Sequence, residues 1–161
     1  MTFEQLYTDY FQDVYRFSIW LTRDATRAED LASETFIRAW GRRDHLHTET
    51  LKGYLFAIAR NIFIKQQRVS NMNESLPEQM LDGAPDPHRT ASARMDLDRV
   101  SRALSQMPSS DRLALVLRSE YSLPYEEVAR ILDISAGAAR VRVHRARRRL
   151  LAQAMTNHGG E

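Results

Sequence analysis

The amino-acid sequence predicts an all-α protein made of two small helical bundles joined by a flexible linker, with a helix-turn-helix in the C-terminal bundle. One observation is that apolar residues recur at spacings of three and four in both halves of the 161 residues. Prolines and small polar residues replace this pattern between residues 70 and 94. The last periodic segment carries six arginines from Arg140 to Arg149. We therefore expect domains at 1–69 and 95–155, a linker at 70–94 and a disordered tail at 156–161.

Three helices are expected in the first bundle, and two of them begin with a capping pattern. Thr2 and Gln5 have the spacing of a capping box, in which two side chains satisfy free backbone N–H groups at a helix start. Thr26 and Glu29 repeat that spacing before the second apolar periodicity. The helices are expected at about 2–21, 26–42 and 51–69, with a polar connection at 43–50.

Four helices are expected in the second bundle. A helix at about 95–107 stops at Pro108, and one of the two serines that follow is expected to cap a helix at about 111–120. Pro124 suits the first turn of the next helix, because the backbone N–H that proline lacks has no partner there in any helix. Asp133 is expected to end this third helix, and Ser135 to cap the last one.

The last helix has an apolar side and a cationic side. Its apolar seam on a helical wheel consists of Ala139, Val143, Ala146 and Leu150. The preceding helix offers an inward face of Val128, Ala129 and Leu132. The opposite face and its two flanks hold Arg140, Val141, Arg142, His144, Arg145, Arg147, Arg148 and Arg149. Such a helix can bury its seam and enter a DNA groove, with its far face at base edges and its flanks at phosphates; the alternative is an ordinary helical hairpin with a solvated basic face.

Composition and charge limit the class of protein. The formal net charge of +2 understates a local excess of basic residues at the C-terminal end, which is reflected in the sequence pI of 9.1 and suggests a polyanionic partner. The sequence contains no cysteine, which excludes disulfides and thiolate metal sites. No apolar run is long enough to cross a bilayer, and the first residues do not resemble a signal peptide. We expect a cytoplasmic protein without membrane insertion.

An enzyme is a weaker alternative. His45 and His47 lie beside Asp44 and Glu49, a group that would suit a metal ion, but histidines in a polar loop are usually solvated. The sequence has no glycine loop for a nucleotide, and its scattered carboxylates lack a nucleophile partner. We therefore expect no catalytic residue, no metal and no cofactor.

The chain resembles the extracytoplasmic-function (ECF) sigma factors of bacterial RNA polymerase, which keep only the second and fourth conserved sigma domains. The segments that carry the resemblance in the first bundle are RAEDLASETFIRAW at 27–40 and GYLFAIARNIFIKQQR at 53–68. In the second bundle the resemblance spans 104–150. Because many regulators contain a helix-turn-helix, the two segments in the first bundle make the resemblance specific.

This resemblance implies a protein that binds core RNA polymerase, directs it to promoter DNA and helps to open the duplex. In the family, the second helix docks on a coiled coil of the largest polymerase subunit. Asp30 and Glu34 lie at i and i+4 and share an exposed stripe, with Leu31 and Ile37 expected elsewhere on the wheel. The implied polymerase contacts are Asp30, Leu31, Glu34, Phe36, Ile37 and Trp40. The alternative is a solvated acidic stripe, with Trp40 and Phe36 in the core.

The third helix and the connection before it resemble the part that reads the minus-10 element as a single strand. Unpaired bases are held by aromatic or amide groups, and the strand backbone is held by cations. The implied residues are Arg42, Leu46, Lys52, Tyr54, Arg60, Asn61, Lys65 and Arg68. Asn61 is the sharpest candidate for a base contact, because its amide both donates and accepts; the alternative is a polar residue bonded inside the bundle.

The resemblance places residues 140–148 over the minus-35 element in the major groove. Arg140, His144 and Arg145 are the best candidates for base reading, since an arginine fork meets guanine O6 and N7 together. The expected phosphate contacts are Arg142, Arg147, Arg148 and Arg149. The family more often has threonine, valine and a small polar residue at the positions of Ala138, Ala139 and Val141. Hydroxyl donors to DNA are therefore lost, and the resemblance does not specify which promoter sequence is recognised.

Two further expectations follow from the resemblance. Asp133 replaces the usual glycine of the turn, and the joint should survive because aspartate tolerates a left-handed backbone better than most residues. An anti-sigma factor clamped over the exposed faces of both domains is expected to hold the protein inactive. A competing hypothesis is a DNA-binding regulator that acts without polymerase, which would leave the first bundle as a dimerisation or sensing module.

Overall fold

The computed structural model describes residues 1–42, 51–73 and 99–158. These residues form helices and the turns between them, and no β-strand occurs within these three ranges. The chain divides into two compact units, one within Met1–Leu81 and the other within Asp82–Glu161. The predicted all-α class with two helical bundles is confirmed. The helices are α1 (Phe3–Thr22), α2 (Ala25–Gly41), α3 (Leu51–Asn73), α4 (described at 99–105), α5 (Ser109–Ser119), α6 (Tyr125–Leu132) and α7 (Ala136–His158).

The first unit packs α1, α2 and α3 around an aromatic core. Phe17 of α1 stacks on Phe56 of α3 with ring centroids 4.5 Å apart, and both side chains are fully buried, as is Phe36 of α2. The predicted capping box at the start of α1 is confirmed. The Thr2 hydroxyl accepts a hydrogen bond from the Gln5 N–H at 3.1 Å, and the Gln5 side chain accepts one from the Thr2 N–H at 2.8 Å.

The start of α2 differs from the prediction. Asp24 is the N-cap residue, and its carboxylate accepts from the backbone N–H groups of Thr26 at 2.9 Å and Arg27 at 3.2 Å. The capping box predicted at Thr26 and Glu29 is therefore wrong. Arg23 ends α1 in a left-handed conformation with φ of 57°. The chain therefore turns directly after α1, and Asp24, which precedes Thr26, becomes the N-cap of α2.

The end of α3 also differs from the prediction. The helix continues to Asn73, four residues beyond the expected end at Val69. No proline or glycine occurs between Val69 and Pro77, so the local sequence contains no helix-breaking residue there. The segment expected to be a linker at 70–94 therefore begins as helix, and its residues from 74 onward lie outside the described ranges.

The second unit is built around α5, whose residues 113–117 are all buried and which contacts α6 and α7. The expected break at Pro108 is confirmed, but the expected serine cap is wrong, because no side chain caps α5. The Pro108 carbonyl accepts from the Arg112 N–H at 3.0 Å. Ser109 and Ser110 therefore already belong to the first turn of the helix.

Helix α7 is longer than predicted. It continues to His158, three residues into the segment expected to be disordered. The first helix-breaking residues at this end are Gly159 and Gly160, so nothing before them stops the helix. Gln153 in the late part of α7 donates from its side-chain amide to the side chain of Gln106 at 2.8 Å, which connects the helix to the residue after α4.

Candidate nucleic-acid and polymerase interfaces

The turn between α6 and α7 is a Schellman motif, which is a common way to end a helix at a left-handed residue. Asp133 has φ of 56° and ψ of 50°, and its N–H donates to the Arg130 carbonyl at 3.4 Å. The N–H of Ile134 reaches back to the Ala129 carbonyl at 3.0 Å. The prediction that aspartate supports this turn in place of glycine is confirmed.

The start and the apolar seam of α7 follow the prediction. Ser135 caps the helix, and its hydroxyl accepts from the Ala138 N–H at 3.1 Å. Ala139, Val143 and Ala146 are fully buried, while Leu150 at the far end of the seam is half-buried. The inward face of α6 is also buried, and its residues are Val128, Ala129 and Leu132. The two helices therefore pack as a helix-turn-helix, with α7 as the second helix.

The opposite side of α7 is exposed and cationic, and α7 contains no acidic residue. Six of the eight predicted DNA contacts there are exposed charged or histidine side chains: Arg140, His144, Arg145, Arg147, Arg148 and Arg149. Arg142 is half-buried on one flank. The remaining residue, Val141, is apolar and 54% exposed. The structure thus brings all eight onto one accessible surface, which we call the α7 basic face.

One arginine of the α7 basic face is held against an aromatic ring. The guanidinium carbon of Arg140 lies 5.0 Å from the centroid of Tyr125 in the first turn of α6. The guanidinium carbon of Arg118 in α5 lies 4.5 Å from the centroid of the same ring. The Arg118 guanidinium also donates a hydrogen bond to the Leu123 carbonyl at 3.0 Å. Cation–π contact restricts the Arg140 side chain. Tyr125 therefore influences where the first arginine of the α7 basic face lies.

A second arginine of the α7 basic face is paired inside the domain. Arg145 lies 3.4 Å from the carboxylate of Asp111 on α5, whose side chain is only 3% exposed, whereas that of Arg145 is 56% exposed. The sequence carries no signal for this pair, because its members lie 34 residues apart and no helical period connects them. This pairing competes with DNA for the Arg145 guanidinium, which weakens the candidacy of Arg145 as a base-reading residue.

An acidic and apolar stripe lies on the outside of α2. Asp30 is exposed, and Glu34 one turn later pairs with Arg38 at 2.7 Å. Ile37 follows Glu34 by three residues and is 66% exposed. The expectation that Ile37 lies away from the acids is therefore wrong. Asp30, Glu34 and Ile37 together form what we call the α2 stripe.

The other implied polymerase contacts lie deeper. Leu31 and Phe36 are 1% and 0% exposed, so neither can contact a partner directly, and the core alternative holds for Phe36. Trp40 is half-buried, and its ring meets that of Phe3 edge-on with centroids 5.7 Å apart. The surface available to a partner is therefore the α2 stripe with the outer part of Trp40.

A polar stripe lies on the outside of α3. Tyr54, Asn61, Lys65 and Arg68 fall within about 60° of one another around the helix axis. The last three are exposed and Tyr54 is half-buried. Because Asn61 is exposed, the alternative that it is bonded inside the bundle does not hold. We call these four residues the α3 stripe.

The remaining candidates for the minus-10 strand lie elsewhere. Lys52 pairs with Asp13 of α1 at 3.2 Å and so connects two helices of the bundle. Arg60 is half-buried and lies about 100° from Asn61 around α3. Arg42 is exposed at the end of α2. Leu46 lies outside the described residues, as does the group of His45 and His47 considered for a metal.

The described residues contain no group of three or more histidine, cysteine or acidic side chains arranged to hold a metal ion. No helix in the described ranges combines the length and apolarity needed to cross a membrane.

A helix-turn-helix that buries its seam and exposes a row of arginines defines a class of DNA-binding protein. The comparisons with known families give the specific assignment. The sigma-70 region 2 family matches residues 6–71, and the sigma-70 region 4 family matches residues 97–150. This chain belongs to the ECF RNA polymerase sigma factors.

Individual relatives agree with this assignment. The ECF RNA polymerase sigma factor SigM of Bacillus subtilis is 32% identical over 164 residues, covering 99% of this chain and 98% of the relative. The ECF RNA polymerase sigma factor SigC of Mycobacterium tuberculosis is 33% identical over 149 residues, covering 89% and 78%.

A solved structure also resembles the whole chain. It is the sigma factor RpoE in complex with the anti-sigma factor NepR from Bartonella quintana, with 28% identity and a TM-score of 0.79 over 95% of this chain and 96% of that one. CnrH, solved with the cytosolic domain of CnrY, shares the fold with a TM-score of 0.69 at 23% identity, over 96% and 88%.

Proposed function

We propose that this protein is an alternative sigma factor that binds core RNA polymerase and directs it to specific promoters. One observation carries the proposal: the two sigma-70 regions match the two helical units in order, and the second unit exposes the α7 basic face. In this function the chain is not itself an enzyme, since polymerase performs the chemistry. It needs no cofactor, and its place of action is the cytoplasm.

The second unit would bind the minus-35 element as intact duplex. Helix α7 would enter the major groove with its first turns, where side chains of a recognition helix meet base edges. Arg147, Arg148 and Arg149 are exposed and suit phosphate contacts. Most of the affinity would come from such contacts, so binding would weaken steeply as salt is raised.

The first unit would bind core polymerase through α2 and the melted minus-10 strand through α3. The α2 stripe combines two carboxylates with an exposed apolar side chain, which suits a partner helix that carries basic residues around an apolar pocket. The α3 stripe combines an aromatic ring, an amide and two cations, which suits an unpaired strand. We place the end of this unit at Asn73, where α3 ends, and that of the second unit at His158.

Regulation by an anti-sigma factor is part of the proposal. The structure of RpoE was solved in complex with the anti-sigma factor NepR, and 95% of this chain aligns with that sigma factor. The α2 stripe and the α7 basic face are both exposed, so a partner that covers them would prevent polymerase and DNA from binding. A pull-down from native cells should recover such a protein, and recovery of polymerase subunits alone would count against it.

Run-off transcription with purified core polymerase tests the main proposal. Core enzyme with this chain should initiate from a subset of a genomic promoter library that core enzyme alone does not use. Ile37→Ala should weaken the complex with core polymerase. Asn61→Ala should reduce open-complex formation, whereas Gln66→Ala, an amide on another side of α3, should not. Failure to form any complex with core enzyme at low or high salt would refute the proposal.

A regulator that acts without polymerase is the competing function. It would bind specific duplex DNA alone with high affinity and would not alter promoter choice by core enzyme. Footprints measured with and without core polymerase separate the two, because a sigma factor should protect both promoter elements only in the holoenzyme.

A further inference from the structure

We propose that Val141 reads the C5 methyl group of a thymine in the promoter duplex that α7 contacts. The inference deepens the proposed function and rests on it. It assigns a base preference to a position where the family pattern, a small polar residue, is absent.

The position of Val141 on α7 is the first observation. It is the sixth residue of the helix, in the second turn, within the part of a recognition helix that meets base edges. Around the helix axis it lies about 170° from the centre of the buried seam. When the seam packs on α6, Val141 therefore points straight away from the domain, and it is 54% exposed.

The neighbours of Val141 are the second observation. Arg140 and Arg142 flank it on either side of the helix; the first lies on the Tyr125 ring and the second is half-buried. Arg145, one turn later, is paired with Asp111. The arginines nearest to Val141 are therefore drawn to the sides of α7 or toward the domain. Val141 is therefore the apolar side chain of a face that it shares with the exposed His144 and Arg148, between cations that suit the two phosphate backbones.

The chemistry of the major groove then decides the ligand. Every base edge there presents hydrogen-bonding groups, and the only apolar group is the C5 methyl of thymine. Valine has no donor or acceptor, so pressing it against guanine, cytosine or adenine would desolvate polar atoms without replacing their partners. Thymine is the base that offers valine a matching surface. The exposed Leu151 lies beyond the run of arginines, so it does not share this setting.

The experiment replaces thymine with deoxyuridine, which removes only the methyl group. Each thymine of the minus-35 duplex, taken from a promoter found by run-off transcription, is replaced in turn, and the Kd of the full-length protein with core polymerase is measured. At one position the wild-type Kd should rise by roughly four-fold, which is the effect of burying one methyl group. Val141→Ser should bind thymine and deoxyuridine duplexes equally well.

A matched control separates this effect from general loss of apolar surface. Val100 of α4 is also exposed, at 45%, and lies outside the helix-turn-helix. Val100→Ser should keep the wild-type ratio of the two Kd values. The inference fails if no deoxyuridine substitution weakens wild-type binding, or if Val141→Ser keeps the wild-type ratio. If neither the chain nor its complex with core polymerase binds any promoter duplex, the proposed function fails as well.

Discussion

Two adjacent residues of α2, Phe36 and Ile37, should respond in opposite ways to truncation. Both were implied as polymerase contacts, but Phe36 is fully buried and Ile37 is 66% exposed. Phe36→Ala should destabilise the first unit, whereas Ile37→Ala should leave it folded and weaken the complex with core polymerase. The pair thus separates a core role from an interface role on one helix.

The magnitude for Phe36 follows from its surroundings. Its ring lies 5.2 Å from that of Tyr7 and 6.4 Å from that of Phe11, measured between centroids. Truncation removes these contacts and leaves a cavity, at a cost of about 3–5 kcal/mol. A domain this small is stable by about 5 kcal/mol. Truncation of the exposed Ile37 should change the free energy of unfolding by less than about 0.5 kcal/mol.

The chain has its own reporter for this measurement. Its two tryptophans, Trp20 and Trp40, both lie in the first unit, so tryptophan fluorescence follows the unfolding of that unit alone. With an m-value of about 1 kcal/mol per M of urea, Phe36→Ala should lower the midpoint by about 3 M or abolish the transition. Phe36→Leu, which keeps most of the apolar volume, should lower it by about 1 M.

A Phe36→Ala protein whose urea midpoint lies within about 0.5 M of wild type would refute the assignment of Phe36 to the core, because truncating a buried ring should lower the free energy of unfolding by much more than that. The assignment of Ile37 to the interface would be refuted if Ile37→Ala bound core polymerase as tightly as wild type. In that case the Ile37 side chain would be solvated and would not contribute to the interface with core polymerase.

Four other changes test separate parts of the structure. Asp24→Ala removes the cap of α2 and should lower the stability of the first unit by about 1 kcal/mol in the same fluorescence assay; no change would mean that the cap contributes nothing. Asp133→Val should cost the second unit about 1–2 kcal/mol, measured by circular dichroism, while Asp133→Gly should be nearly neutral; equal losses would argue against a left-handed requirement. Arg148→Ala should weaken DNA binding and reduce the slope of log K against log salt by about 0.9 without affecting stability. Arg145→Ala should also destabilise the second unit, by about 1 kcal/mol, because it leaves the buried Asp111 carboxylate without this partner; identical behaviour of the two arginine variants would contradict that pairing.

Several local features of the fold follow directly from the sequence, whereas the caps predicted at Thr26 and at Ser109 or Ser110 do not form. The capping box of α1, the cap at Ser135, the turn at Asp133 and the buried seam of α7 were all predicted correctly. Each depends on residues within about one to three turns of one another, where helical periodicity and backbone geometry decide the contacts. The errors at the ends of α3 and α7 have a related cause. The polar residues after Val69 and before Gly159 do not stop either helix, because only proline and glycine strongly oppose helix formation.

The exposed and cationic character of the α7 basic face was also predictable, because the apolar seam determines which side of the helix must turn inward. Periodicity did not decide what each arginine does on that surface. Arg140 lies on Tyr125 and Arg145 pairs with Asp111 because α5 and α6 pack against α7 and bring those groups near. Such contacts join residues from different helices.

The amino-acid sequence by itself determined the all-α class, the two-bundle organisation and the family, since these follow from short-range patterns and from the residues of the family motifs. Tertiary packing alone decided that Phe36 is core and Ile37 is surface, that Lys52 pairs with Asp13, and that Arg140 and Arg145 beside Val141 are held by Tyr125 and Asp111. The physical reason is that burial and charge pairing depend on which distant segments meet. A helical period specifies a face, but it does not specify what covers that face.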